Sequence, residues 1–163
     1  MNERYLTLDK LRQDGFNCEY LLGRLKKDET DSHKLSLIDV IELDGTRGAM
    51  LCLKHLSGYE SELRHLACDI ADHALGQVTY AQHHEAIRVA RLYADGKATK
   101  SELSVARRWA ADYDIIEHAH KATYAAAATT THETRASMAA LATYDKILGV
   151  DAIFRDWVIK HDL

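Results

Sequence analysis

Tyr59-Glu60-Ser61-Glu62-Leu63-Arg64-His65-Leu66-Ala67-Cys68-Asp69-Ile70-Ala71-Asp72-His73-Ala74-Leu75-Gly76 is the stretch that sets the fold class. Leu63, Leu66, Ala67, Ile70 and Ala74 recur at three- and four-residue spacing, which stacks them on one face of a helix. Gly76 then supplies the flexible residue on which such a helix ends. No β-pattern of strict alternation competes with this reading.

Moving outward, the same grammar repeats. Downstream, Thr79-x-x-Gln82 and Thr99-x-x-Glu102 are capping boxes, in which a hydroxyl takes a first-turn amide and the third residue reaches back. The first opens a helix with Ala86, Ile87, Ala90, Tyr93 and Ala94 that runs to Gly96; the second opens the longest segment, expected to reach about Ala128. Thr130-x-x-Glu133 offers a new start, and Asp151 is placed as the cap of a last helix holding Phe154, Trp157 and Val158. Upstream, Thr7 to Asp14 and Asn17 to about Lys27 are short segments. Ser32 is read as the cap of a helix with Leu35, Leu37, Ile38, Ile41 and Leu43 that ends near Gly45. Thr46 opens another, with Met50, Leu51, Leu53 and Leu56, closed by Gly58. The expectation is an all-α protein, a compact multi-helix bundle of eight to nine helices. A short-helix subregion over 1–57 and a main bundle over 58–163 would form one continuous domain.

Composition agrees. The 163 residues contain no proline, where average usage would give about eight. That favours uninterrupted helices over a loop-rich β-sandwich. With 21 basic and 25 acidic residues the formal charge is −4, too balanced for a general polyanion binder. The opening Met1-Asn2-Glu3-Arg4-Tyr5-Leu6 lacks the apolar run of a secretory signal, and no stretch is apolar for the ~18 residues of a membrane span. A cytoplasmic protein is expected. Cys18, Cys52 and Cys68 form no C-x-x-C pair, and Cys52 and Cys68 read as small core hydrophobes.

Ten histidines raise the question of metal. Glu42, Glu62-x-x-His65, Glu85 and Glu117-x-x-His120 follow the ligand order of ferritin-like di-metal bundles. At about 100° per residue, Glu117 and His120 share the face of Trp109, Tyr113 and Tyr124, whereas Glu62 and His65 lie on a flank with Asp69. Half of such a site would face away from the other half. His65, Asp69 and His73 also form a line at i, i+4 and i+8 that could hold a divalent ion with help from Glu117 and His120; its alternative is a solvated polar flank. No metal or other cofactor is expected in the favoured reading. Leu37 to Leu56 has the outline of a helix-turn-helix with Gly45 in the turn. Its second helix offers only Arg47 and Lys54 with His55, beside Asp39, Glu42 and Asp44, which is poor electrostatics for phosphate. The Arg88/Arg91 and Arg107-Arg108 pairs read as solvated faces. No glycine-rich phosphate loop, G-x-S-x-G elbow or H-E-x-x-H helix is present, so catalysis is not expected.

Three blocks together carry a resemblance: Gly45-Thr46-Arg47-Gly48-Ala49-Met50-Leu51-Cys52-Leu53-Lys54, Glu62 to Ala74, and Glu85 through Ala94-Asp95-Gly96-Lys97-Ala98-Thr99 to Ser104-Val105-Ala106-Arg107-Arg108-Trp109-Ala110. In that order they resemble alanine-rich all-helical proteins of bacteria and phages, among them immunity proteins of polymorphic toxin systems. The resemblance spans roughly residues 45–145. It implies binding in place of catalysis, no defined catalytic residues, and a protein partner such as a toxin, a nuclease or a host defence component. Tyr59, Tyr80, Trp109 and Trp157 are the aromatic candidates for contacting that partner, with core packing as the alternative for each. The alanine-faced helix also leaves a homodimer open.

Overall fold

The structure is a computed structural model, and it describes residues 5–13, 34–56, 58–76, 81–111, 126–128 and 149–163. Of these, 80% are helical. The order is β1 (Leu6–Thr7), α1 (Leu8–Gln13), β2 (Lys34–Leu35), α2 (Leu37–Cys52), a 3-10 turn (Leu53–His55), α3 (Glu60–Leu75), α4 (Ala81–Ala94), α5 (Lys100–Ala111) and α6 (Val150–His161). Six α-helices thus stand among the described residues, against the eight to nine expected for the whole chain. The continuation of α5 to Ala128, the Thr130 start and the segment from Asn17 to Lys27 lie outside the described residues, apart from Ala126–Ala128.

The two strands depart from a purely helical reading. They pair antiparallel with Leu6 opposite Leu35 and Thr7 opposite Lys34. Both leucines are fully buried, so the ladder turns one residue of each strand into the core. Two residues are too few to produce a period-2 signal, which is why alternation could not reveal them. The pairing also moves the start of α2. Lys34 and Leu35 are used by the strand, and the cap falls on Ser36 instead of Ser32. Ser36 Oγ accepts the Asp39 N–H at 3.1 Å while the Asp39 carboxylate accepts the Ser36 N–H at 2.7 Å.

Gly45 acts as expected, but as a kink inside α2. Its φ of 76° and ψ of 176° break the helical path before Thr46 resumes it. Gly96 closes α4 in a Schellman arrangement: the Lys97 N–H reaches the Leu92 carbonyl at 2.7 Å and the Gly96 N–H reaches Tyr93 at 3.0 Å. Three residues later the Thr99 box forms, the Thr99 N–H donating to Glu102 at 2.7 Å and the Glu102 N–H to Thr99 Oγ1 at 3.2 Å. Asp151 is not the cap of α6. Gly149 holds that position and Asp151 stands exposed in the first turn, where a carboxylate still favours the amide end of the helix.

α3 packs against α4, α4 against α5, and α6 against both α2 and α3. One apolar cluster runs through these elements from Leu6 to Leu163, with Leu63, Leu66, Ile70 and Phe154 fully buried. A second, smaller cluster joins α4 to α5 through Ala86, Val89, Ala106 and Ala110. Three polar contacts tie the parts together. The Ile38 N–H in the first turn of α2 donates to the Leu163 carbonyl at 3.2 Å. Trp157 Nε1 donates to the Glu62 carbonyl at 3.2 Å. Buried Arg64 donates to the carbonyls of Ala126 and Ala128 at 2.8 and 2.6 Å, and its guanidinium lies 5.0 Å from the Tyr93 ring. No described helix is long and apolar enough to cross a membrane.

Candidate functional site: the groove between α4 and α5

Alanines on the facing sides of α4 and α5 let the two backbones approach closely. The tight Gly96 turn fixes their ends, and the next apolar residues around each helix are left beside the seam. Val89 and Leu92 from α4, Val105 and Trp109 from α5, and Ala98 from the turn line a groove of about 240 Å³. Its rim is charged, with Glu85 and Arg88 on one side and Lys97 and Glu102 on the other. Trp109 is 38% exposed, unusual for a residue of its size.

The rim charges are engaged within the chain. Arg88 makes two 2.7 Å bonds to Glu85, which hold the Glu85 carboxyl below the usual carboxylate range. Lys97 Nζ lies 3.1 Å from Asp95, whose second oxygen is 3.0 Å from His65 Nε2. Lys97 first and His65 after it keep Asp95 low. The Thr99 amide does the same for Glu102. The rim is therefore neutral in sum and oriented, and the floor is apolar. Such a surface can exclude water from an apolar group laid against the indole.

Of the three aromatic candidates among the described residues, only Trp109 is placed at a surface. Tyr59 is 8% exposed and Trp157 is 7% exposed, so both are corrected to core residues. Trp157 shares its face with Phe154 and Val158, stacks on Phe154 at 6.1 Å and meets His161 at 5.1 Å. Tyr80 lies outside the described residues.

Among the described residues, the members of the metal constellation stand apart. His65 pairs with Asp95; Asp69 and Asp72 both receive Arg91, at 2.8 and 2.6 Å; the His73 ring lies against Gly149. Burial works against the charge of Arg91, and the two carboxylates outweigh it and raise its pKa. Glu42 is exposed on α2 and Glu85 is held at the groove rim, while Glu117 and His120 lie outside the described residues. Among the described residues no three His, Cys, Asp or Glu side chains gather in a metal-binding arrangement. The helix-turn-helix outline fares likewise: Gly48, Ala49, Met50, Cys52, Leu53 and His55 are buried, so the second half of α2 and the 3-10 turn after it are packing elements, with Arg47 exposed. Cys52 and Cys68 are buried, and burial pushes the Cys68 thiol up to about 12, far from a reactive thiolate.

Sequence reasoning missed the groove floor and Arg91. Val89 and Leu92, like Val105 with the already singled-out Trp109, are apolar pairs at helical spacing that fall beside the main stripes. That offset is the signal that could have found them. Arg91 was read as solvated, although Asp69 and Asp72 sit at i and i+3 on α3, a spacing that suits one guanidinium bridging both.

The chain matches no protein-family model, no curated protein and no solved structure.

Proposed function

We propose that this chain is a non-enzymatic protein-binding domain that inhibits a partner protein by covering it, with the α4–α5 groove as the contact and Trp109 as its anchor. The observation that carries the reading is Trp109: a tryptophan left 38% exposed beside a groove of apolar side chains, with its charged rim already paired. Exposed tryptophans in such settings are where binding energy concentrates, because a large rigid ring loses little entropy on docking. The resemblance to immunity-type proteins of bacteria and phages supports an inhibitory role toward a toxin, a nuclease or a host defence component. A formal charge of −4 would steer the domain onto a basic partner. The setting would be the cytoplasm.

Affinity capture from bacterial lysate tests this, with wild type and Trp109→Ala run in parallel. The reading expects one stoichiometric protein on the wild type, and on the variant a loss of affinity of about thirtyfold or more, the scale of a hot-spot truncation. A captured protein whose binding is unchanged in both Trp109→Ala and Val89→Asp would contradict it.

A further inference from the structure

We infer that the Gly58–Tyr59 turn at the head of α3 is a two-state gate, poised to move the Tyr59 side chain between its buried seat and solvent. Two independent features of one residue oppose the closed position. Tyr59 has φ 122° and ψ 26°, a conformation that side chains with a Cβ rarely adopt, directly after Gly58 at φ 75°. Its hydroxyl is also buried with no hydrogen-bond partner. The opposing force is burial of the ring, since the residue is 8% exposed within the main cluster. A tyrosine side chain held by apolar contact alone, against backbone strain and an unsatisfied hydroxyl, has an open state close in free energy.

The flanks confine the motion. Upstream, Leu56 is buried and its N–H bonds the Leu53 carbonyl at 3.3 Å. Downstream, the Leu63 N–H bonds the Tyr59 carbonyl at 2.7 Å, Trp157 Nε1 holds the Glu62 carbonyl, and Arg64 is bound to Ala126 and Ala128. α3 therefore keeps its place while the turn opens. At the N-cap itself Tyr59 provides no side-chain cap; only the Glu60 carboxylate, accepting the Tyr59 N–H at 3.2 Å, closes the turn. Opening presents a phenol that can donate to an acceptor on a partner surface, which the closed seat does not supply. This gate is independent of the groove on α4 and α5.

Fluorine NMR on the full chain with 3-fluorotyrosine at its eight tyrosines tests the gate, the Tyr59 signal being the one lost in Tyr59→Phe. The expected result is microsecond-to-millisecond relaxation dispersion at that signal, together with broadening by a soluble paramagnet. Tyr59→Phe, which removes the stranded hydroxyl and keeps the ring, should melt about 3 °C higher than wild type. A flat dispersion profile with no paramagnetic broadening overturns the gate. So does a Tyr59→Phe variant that melts at or below wild type, which would mean the hydroxyl is satisfied in its seat.

Discussion

Single residues decide how this fold closes, and Arg64 is the clearest case. A cation on the face of α3 that packs inward has no water to solvate it, so it must find acceptors, and it takes two backbone carbonyls and the Tyr93 ring. Replacing it strands buried acceptors, each costing about 1–3 kcal/mol. Arg64→Met, which keeps the apolar stem, should lower stability by about 2–4 kcal/mol in urea titration, with a smaller loss meaning that the carbonyls find other donors. His161 makes a pH prediction of the same scale. Burial lowers its pKa below 6.5, against the pull of Glu62. The folded form then binds fewer protons than the unfolded one, so its contribution is present above pH 6.5 and is lost as pH falls through the folded value. Stability should decline as pH falls below 6.5, and His161→Gln should flatten that part of the profile.

Helix ends are where the sequence was most readable and where the exceptions are most instructive. The Thr99 box, the Gly76 and Gly96 stops and the apolar stripe of α3 stand in the structure as the residues announce them. Each depends on bonds within a few residues, which local pattern encodes. Ser32 against Ser36 is different: both suit a cap, and the choice is made by β1, about thirty residues away in sequence. Asp151 lost its cap role to Gly149 because α6 begins two residues earlier than the aspartate would set it. The groove was invisible for a related reason. Val105 and Trp109 are an ordinary i, i+4 pair until α4 packs beside them and leaves the indole uncovered. Two substitutions test the element-level reading. Ser36→Ala should cost about 1 kcal/mol, as a lost N-cap does. Gly96→Ala meets no steric obstacle, yet φ 71° should still cost about 1 kcal/mol. Equal stability of Gly96→Ala and wild type by chemical denaturation would show that the α4–α5 turn relaxes freely.

For the molecule as a whole, the described helices divide into two kinds of surface. α2, α3 and α6 spend their apolar residues on one core, while α4 and α5 share a seam of alanines and leave larger apolar groups beside it. A domain built only for stability gains little from leaving a tryptophan in water, since burying such a ring contributes a few kcal/mol. That seam is where we propose that partner recognition occurs. Iodide quenching measures this directly, because the chain has two tryptophans and Trp157 is buried, so the quenchable emission belongs to Trp109. Between the free protein and its captured complex, the iodide-accessible emission should disappear. Trp109 emission equally quenchable in a formed complex would contradict it.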